Sequence, residues 1–200
     1  LVCAADCTGH GVPGAFMSML GMSLLSDIIN TNEESLKTGK FVPADILHRL
    51  RSKIKESLRQ TGKEGESRDA MDMAICLLEI STGKIQYAGA INPVYYVSDG
   101  ILTEIKGTRN PVGIYPNETE FINHTATLPK GAFIYLFSDG YYDQIGAKGG
   151  KFLSKRFKAL LAEISNSGAM EIKERLIREH LEWRKETEQV DDILVIGLRV

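Results

Sequence analysis

The feature that most constrains this chain is a glycine-rich turn between two apolar stretches. Residues 6–14 read DCTGHGVPG; the short apolar run 1–5 precedes them and the long apolar segment Ala15–Ile29 follows. Glycine allows the backbone to reverse tightly, and proline suits the first turn of a helix. We therefore predict that a strand ends at Asp6, that a tight turn follows, and that a helix begins near Pro13. The Asp6 carboxylate would then be held rigidly at the edge of a sheet.

Composition and charge limit the classes of function. With 200 residues, of which 43% are apolar, the chain is long enough for one globular domain with a sizeable core. The net charge of −2, from 24 basic and 26 acidic residues, gives no signal for a polyanionic partner, so nucleic acid is not favoured. No apolar run approaches about 18 residues without a polar interruption, and no signal peptide is evident. We therefore expect no membrane contact and a cytoplasmic location.

The three cysteines, Cys3, Cys7 and Cys76, include no CxxC pair. An odd number without close pairing argues against a disulfide framework and against a zinc site, and it favours a reducing compartment. We interpret all three side chains as small apolar residues. The chain also opens inside an apolar strand. We therefore expect it to be the C-terminal output domain of a longer sensor protein, truncated at its N-terminus.

Two helices are predicted after the turn. The segment Ala15–Ile29 is apolar on all sides, which predicts a helix that is buried on most faces. Residues 31–40 are polar and indicate a loop. From Pro43 onward, apolar residues repeat at helical spacing while charged residues lie mostly off that stripe. This pattern predicts an amphipathic helix that ends before Gly62.

The rest of the chain contains short apolar runs separated by turn residues, which predict antiparallel hairpins. Asp99-Gly100 is the strongest short hairpin signal in the chain. Two further helices and a closing strand follow, and this order indicates an α+β fold. The predicted strands pair as 70–80 with 85–89, 94–97 with 101–105, and 120–127 with 132–137; the helices lie within 151–185, and the last strand is 193–200.

Aspartates at three strand ends could share one site. Asp6 ends the first strand, Asp139 follows the apolar run 133–138, and Asp191 with Asp192 precedes the last strand. Oxygen ligands without a histidine or cysteine cluster suit a hard cation such as Mg²⁺ or Mn²⁺. Two such ions can activate a water molecule and neutralise the oxygens of a phosphoryl group. An aspartate beside a glycine is also a common turn residue, so spacing alone leaves both interpretations open.

Four segments of this chain match motifs that occur together in one known family. Residues 5–15, ADCTGHGVPGA, match a D-x-x-G-H-G-x-P-x-A turn, and residues 137–143, FSDGYYD, match an S-D-G motif. Residues 191–195, DDILV, match a closing D-D-x-T/L-V-V strand, and residues 88–93, AGAINP, match an A-G-x-x-P turn. In these motifs, and in their order and separations from one end of the chain to the other, the sequence resembles the metal-dependent PPM phosphatase superfamily, in its bacterial SpoIIE-type branch.

The resemblance implies a fold and a domain organisation. It implies a PPM-type sandwich of two antiparallel β-sheets flanked by α-helices, formed by residues 1–200 as a single phosphatase domain. Family members carry an upstream hairpin with a G-G-D-x-Y/F-D motif, and we expect this chain to lack that hairpin. The first two helices resemble the family's regulatory switch region. We therefore expect them to respond to an upstream sensor or regulatory domain, or to formation of a homodimer.

The resemblance also implies an activity and a site. The activity is hydrolysis of phosphoserine or phosphothreonine in a protein by water that two Mn²⁺ or Mg²⁺ ions activate. The implied substrate is a phosphorylated protein of the anti-sigma-factor antagonist type, in bacterial signalling. Asp6 would bridge the two ions and Cys7 would contribute its backbone carbonyl, while Asp139 and Asp191 would complete the shell of the second ion. The candidates for an outer shell are Asp143, Asp192 and Asn92, and His10 is a candidate catalytic acid.

Two alternatives remain open at this point. The fold could serve as a catalytically degenerate signalling or docking module, which the expected loss of the upstream aspartate motif favours. The same site could also act on a small phosphorylated metabolite, although the sequence shows no basic pocket specific for one. Retention of Asp6, Asp139 and Asp191 favours an enzyme.

Overall fold

The computed structural model describes residues 1–9, 11–38 and 40–200. Over these residues the chain forms eight strands and six helices. The strands are β1 (Val2–Cys7), β2 (Met71–Glu79), β3 (Lys84–Ala90), β4 (Val94–Ser98), β5 (Ile101–Ile105), β6 (His124–Thr127), β7 (Phe133–Phe137) and β8 (Val195–Arg199). The helices are α1 (Gly11–Thr31), α2 (Glu33–Lys37), α3 (Pro43–Ser57), α4 (Gly140–Asp143), α5 (Ser154–Glu163) and α6 (Ala169–Arg184).

The strands form two antiparallel sheets of four strands each within the described part of the chain. One sheet has the order β1-β2-β3-β6 and the other has the order β5-β4-β7-β8. The prediction of an α+β fold with two antiparallel sheets and accompanying helices is therefore confirmed. The backbone contacts divide the chain into two compact units, so that unit 1 comprises residues 1–79, 84–93 and 106–126, and unit 2 comprises residues 80–83, 94–105 and 127–200. A single phosphatase domain over residues 1–200 stays a prediction.

The core of unit 1 is mainly aliphatic. Helix α3 begins with Pro43 at its first turn, where the fixed φ of proline suits the helix and its missing N–H costs nothing. Its apolar residues recur at helical spacing and lie on one face. Full burial of each such side chain contributes about 1.5–3 kcal/mol. The residues of this stripe, none more than 2% exposed, are Ile46, Leu47, Leu50 and Ile54.

The core of unit 2 is mainly aromatic. All five residues of β7 are buried, because β4 and β8 flank the strand and the helices of unit 2 cover one of its faces. Tyr141 on α4 packs against Phe157 on α5, with ring centroids 4.8 Å apart. Aromatic pairs of this kind contribute about 0.5–1.5 kcal/mol beyond the area that they bury. This packing fixes α4, the helix that begins directly after Asp139.

Helix α1 is less buried than its composition predicts. Its inner face packs within unit 1 through small residues: a Cβ added at Gly21 would lie only 2.5 Å from the sulfur of Met71, so the helix approaches β2 closely. On the opposite face, Val12, Phe16 and Met19 are at least 60% exposed. The prediction that α1 is buried on most sides is therefore wrong. An apolar pattern shows which side chains favour burial, and it does not show which of them another element covers.

By length and composition, α1 also resembles a membrane-spanning helix. Within the described residues it is the one helix that is long and apolar enough to cross a bilayer, with a mean hydropathy of 1.5 over its most apolar window, of which 22% is buried. This finding stands against the expectation of no possible span. A single helix of this kind is weak evidence, because a core helix of a soluble protein has the same length and composition. The cytoplasmic location stays a prediction.

Two further expectations are corrected. Residues 31–40, predicted as a loop, contain the short helix α2. Strands 120–127 and 132–137, predicted to form a hairpin, belong to different sheets: β6 lies beside β3, whereas β7 lies between β4 and β8. Strand β7, which is buried throughout, lies between two strands, whereas β6, in which half-buried and exposed positions alternate, occupies a sheet edge.

Candidate metal-binding carboxylates

In unit 1, Asp6 lies near the end of β1, where it is half-buried and directly opposite Asp72 of β2. Residues directly opposite each other in an antiparallel pair project from the same face of the sheet. Two carboxylates in this position repel each other, which favours a cation on that face. Sequence reasoning missed Asp72. The available signal was the acidic residue at position 72, which interrupts the apolar residues in the first part of β2.

The turn after Asp6 is fixed by a hydroxyl group and by glycines. The Thr8 hydroxyl accepts a hydrogen bond from the Ala70 N–H at 2.8 Å and lies 3.1 Å from the Ala70 carbonyl oxygen, to which it can donate. Gly9 has φ +94°, a conformation that side chains disfavour. A Cβ added at Gly14 would lie 2.7 Å from the Gly9 carbonyl oxygen. The glycine-rich pattern is therefore a requirement of the tight turn. His10, the candidate acid, lies outside the described residues.

The three cysteine side chains are free thiols in the environments expected of apolar residues. Burial raises the pKa of Cys3 to about 11 and that of Cys76 to about 12. Burial also raises the pKa of Cys7, although a hydrogen bond with Ser18 acts in the opposite direction. A thiol with a raised pKa is a poor metal ligand, because the ligand form is the thiolate. If Cys7 contributes to a metal shell, its backbone carbonyl is the suitable atom.

In unit 2, Asp139 and Asp191 lie side by side. A carboxylate oxygen of Asp139 lies within 4.8 Å of one of Asp191. Asp139 occupies the position just before α4 and is half-buried, whereas Asp191 is exposed in the segment that leads to β8. Two carboxylates this close to each other favour a shared cation, and their oxygens are the donors that hard cations prefer.

Ser138 ties these two segments together. Its hydroxyl donates to the Asp192 carbonyl oxygen at 2.9 Å and accepts from the Leu194 N–H at 3.0 Å. Its own N–H donates to the Leu194 carbonyl oxygen at 3.0 Å. Gly140 allows the close approach, because a Cβ added there would collide with the backbone carbonyl oxygen of Asp192. Each residue of the S-D-G sequence thus has a physical role beside the carboxylate pair.

The predicted outer-shell residues have different settings. Asp143 forms an ion pair with Lys151, with 2.6 Å between Oδ2 and Nζ. The Asp192 N–H donates to Oδ1 of Asp191 at 2.8 Å, so the backbone of Asp192 orients its neighbour. Asn92 is buried in unit 1, where its backbone carbonyl oxygen accepts a hydrogen bond from the Tyr87 hydroxyl. That contact does not involve the side-chain amide, so the outer-shell role of Asn92 stays a prediction.

A cavity of about 670 Å³ opens in unit 2 between α6 and the strands β7 and β8. Its walls are mostly apolar, and they include Leu176, Ile177 and Val195. Neither Asp139 nor Asp191 lines it. The carboxylate pair therefore lies outside this cavity, and the chemistry of the two places differs.

Comparison with known proteins gives a consistent result. The family model described as stage II sporulation protein E (SpoIIE) matches residues 1–200. No curated protein matches the chain. Among solved structures, the SiaA-PP2C domain of Pseudomonas aeruginosa is 28% identical, and the match has a TM-score of 0.84 and covers 99% of this chain and 74% of that one.

Two other solved structures show the same fold at lower identity. One contains the PP2C phosphatase domain and a fragment of the regulatory domain of SpoIIE from Bacillus subtilis, with 17% identity, a TM-score of 0.72, and coverage of 99% of this chain and 53% of that one. The other contains the RsbU and RsbW domains of a Mycobacterium tuberculosis protein, with 20% identity, a TM-score of 0.70, and coverage of 98% and 50%. This chain thus spans about half the length of both structures.

Proposed function

Because this chain belongs to the SpoIIE family, whose model it matches over residues 1–200, we propose that it is a metal-dependent protein-serine/threonine phosphatase. Its fold is that of PP2C-type phosphatase domains. The observation that supports the proposal most directly is the Asp139–Asp191 pair, because two carboxylates within 4.8 Å of each other provide the oxygen donors that such an activity needs.

Asp6, Asp139 and Asp191 are the proposed side-chain ligands of two Mn²⁺ or Mg²⁺ ions, with the Cys7 carbonyl as a further ligand. The donor set fits these ions, because it consists of oxygen atoms and contains no thiolate. The proposal requires Asp6 of unit 1 and the pair of unit 2 to reach the same ions. When bound, such ions supply Lewis acidity, which lowers the pKa of a water molecule and neutralises phosphoryl oxygens.

The residues around the ligands maintain their positions. Ser138 holds the Asp139 segment against the segment that carries Asp191 through hydrogen bonds of 2.9 and 3.0 Å. In unit 1, Asp72 adds a second negative charge on the face of Asp6 and so favours a cation there. Preorganised ligands need little rearrangement at the moment of reaction, which is the main protein contribution in phosphoryl transfer.

The proposed substrate is a phosphorylated protein in bacterial signalling, of the anti-sigma-factor antagonist type. The support comes from the relatives: one solved structure joins a PP2C phosphatase domain to part of a regulatory domain, and another contains RsbU and RsbW domains in one protein. By the same reasoning, we propose that an upstream sensor or regulatory domain, or a second copy of this chain, controls the activity.

Hydrolysis of p-nitrophenyl phosphate and of a phosphoserine peptide, with and without Mn²⁺, tests the proposal. We expect turnover that depends on Mn²⁺. Asp139→Asn should lower kcat by roughly 10²–10³-fold, because it removes one charged ligand of the ion that stabilises the transition state. Asp99→Asn is the matched control, because Asp99 lies in an exposed turn at φ +51°, which asparagine also tolerates.

The outcomes separate the alternatives. Equal rates for the wild type and Asp139→Asn would contradict a metal-dependent mechanism at this site. Binding of Mn²⁺, measured by electron paramagnetic resonance, without turnover of either substrate would favour a non-catalytic docking module. Turnover of p-nitrophenyl phosphate together with small phosphorylated metabolites, but not of phosphopeptides, would favour a metabolite phosphatase.

A further inference from the structure

A short hairpin after α4 presents Lys151 next to the carboxylate of Asp143. Ile145 and Lys151 form a bridge at its base, and the Gly146 N–H donates to the Gly150 carbonyl oxygen at 3.0 Å. The next residue, Phe152, is 2% exposed and anchors the hairpin in the aromatic core of unit 2. The bridge and the buried Phe152 therefore fix the backbone of Lys151, from which the side chain extends.

The ammonium group of Lys151 pairs with Asp143 on α4, the helix that begins directly after the proposed ligand Asp139. Its Nζ is 2.6 Å from Oδ2 of Asp143. Asp143 lies one helical turn after Asp139, and its N–H donates to the Asp139 carbonyl oxygen at 3.0 Å. The hydrogen bond with Asp143 and the charge of Asp143, together with a smaller effect of Asp139, raise the pKa of Lys151. The side chain is thus a cation at neutral pH.

We propose that Lys151 is a substrate-binding residue that donates a hydrogen bond to a non-bridging oxygen of the substrate's phosphoryl group. This inference rests on the proposed function and names a binding group for that reaction. A phosphate monoester is a dianion, and the carboxylates around the site repel it. An ammonium group offers three N–H donors, so Lys151 can keep its contact with Asp143 and bind a phosphoryl oxygen at the same time.

Two other cations near this hairpin, Arg156 and Lys158, are engaged elsewhere. Arg156 stacks between the rings of Phe152 and Trp183, at 4.6 Å from each ring centroid. Lys158 pairs with Glu104 on β5, with 2.9 Å between Nζ and Oε2. Arg156 thus packs against aromatic rings and Lys158 forms an ion pair, so both side chains have structural contacts within unit 2. Lys151 combines a fixed backbone, a half-exposed side chain and a position beside α4.

Lys148 is a matched control on the same hairpin. It is exposed, it lies three residues before Lys151, and in the described part of the chain it forms no ion pair. Replacement of either lysine by methionine removes one positive charge from the same loop and keeps a side chain of similar length. A general effect of loop charge would change both variants equally, whereas phosphoryl binding would change only Lys151→Met.

Steady-state kinetics with a phosphoserine peptide and inhibition by inorganic phosphate, both with Mn²⁺, test the inference. For Lys151→Met we expect KM and the inhibition constant of phosphate to rise about tenfold while kcat changes less than about threefold, because the lost contact binds substrate and transition state alike. Lys151→Arg should restore most of the loss, and Lys148→Met should match the wild type. The inference is overturned if Lys151→Met leaves both constants within twofold, or if Lys148→Met has the same effect.

The design distinguishes this inference from the proposed function. Absence of Mn²⁺-dependent turnover in the wild type overturns the proposed function. In that case calorimetric titration of the Mn²⁺-loaded protein with inorganic phosphate decides the role of Lys151. Weaker binding of phosphate to Lys151→Met than to Lys148→Met supports the inference, and equal binding overturns it.

Discussion

A hydroxyl group ties the backbone beside the candidate carboxylates in both units, at Thr8 in unit 1 and at Ser138 in unit 2. Each hydroxyl contacts one N–H and one carbonyl oxygen of a distant segment, at residue 70 for Thr8 and at residues 192–194 for Ser138. The difference is exposure, because Thr8 is exposed and Ser138 is only 4% exposed. If the hydroxyl group is removed by substitution, water can bond the backbone groups that Thr8 contacted, whereas water reaches the groups that Ser138 contacted poorly. The hydrogen bonds of the Ser138 hydroxyl should therefore contribute more to stability than those of the Thr8 hydroxyl.

The glycines of the two units show a parallel contrast. Gly14 makes room for Gly9, which is part of the same turn, whereas Gly140 makes room for the backbone of Asp192, which arrives from far along the chain. A strained local turn can relax by small rotations of its own residues. A long-range contact relaxes only if one element moves away from another. The unit 2 carboxylates should therefore be more sensitive to substitution of their supports than Asp6 is.

The largest expected effect is that of Gly140→Ala. The added methyl group would collide with the Asp192 carbonyl oxygen, so the 191–194 segment must move and weaken its hydrogen bonds with Ser138. We expect the free energy of unfolding, measured by urea denaturation, to fall by about 3 kcal/mol. Gly168→Ala is the control, because a Cβ there has no atom within 4 Å and φ is −70°. Equal effects of the two substitutions would show that Gly140 is not a long-range contact point.

Ser138→Ala should have the next largest effect. It removes a donor from the Asp192 carbonyl and an acceptor from the Leu194 N–H, and it leaves both poorly hydrated. We expect a loss of about 2 kcal/mol in the same measurement. Ser165→Ala is a matched control, because Ser165 is 6% exposed and its hydroxyl donates to the carbonyl oxygen of the nearby Ala162 rather than to a distant segment. A smaller loss for Ser138→Ala than for Ser165→Ala would contradict the proposed connection.

Gly14→Ala should cost less than Gly140→Ala. A Cβ at Gly14 would lie 2.7 Å from the Gly9 carbonyl oxygen, which costs stability, but Gly14 lies in α1, where alanine gains up to about 1 kcal/mol of helix propensity. We expect a net loss of about 1.5 kcal/mol in urea denaturation. A loss larger than that of Gly140→Ala would reverse the proposed order of the two units.

Thr8→Val should have the smallest effect of the four. The substitution keeps the shape of the side chain and removes the hydroxyl that contacts Ala70. The Thr8 N–H still donates to the Ala70 carbonyl oxygen at 3.0 Å, and water can approach the exposed side chain. We expect a loss of about 1 kcal/mol or less. Thr8→Ser, which retains the hydroxyl, should match the wild type within experimental error, and a loss equal to that of Ser138→Ala would contradict the role assigned to exposure.

The sequence predicted those helices and turns that are marked by residues within the element itself. Pro43 and the stripe that follows it predicted α3, and Asp99-Gly100 predicted the β4–β5 turn, where both residues have positive φ. The partner of β6 could not be predicted in this way. Alternation of polar and apolar residues shows that a segment is a half-buried strand, and it does not identify which strand lies beside it.

The candidate site shows the same division. Motif resemblance selected Asp139 and Asp191, which the structure brings together, and their role as ligands stays a prediction. Asp72 was missed because it lies inside one of the apolar runs that were interpreted as strands, and its position opposite Asp6 depends on strand register. The roles of Thr8 and Ser138 depend on hydrogen bonds between segments far apart in the chain. No local periodicity encodes such contacts.

The half-buried Cys3 of β1 and the buried Cys76 of β2 have a consequence for the kinetics of this sheet. With a pKa of about 11 for Cys3 and about 12 for Cys76, fewer than about one thiol in 10³ is ionised at pH 8, so alkylating reagents react slowly with the closed sheet. Once the strands separate, the pKa returns to about 8.5 and the reaction accelerates. The alkylation rates of Cys3 and Cys76, followed separately from that of the half-exposed Cys7, therefore report how often the strand that carries Asp6 detaches from its neighbour.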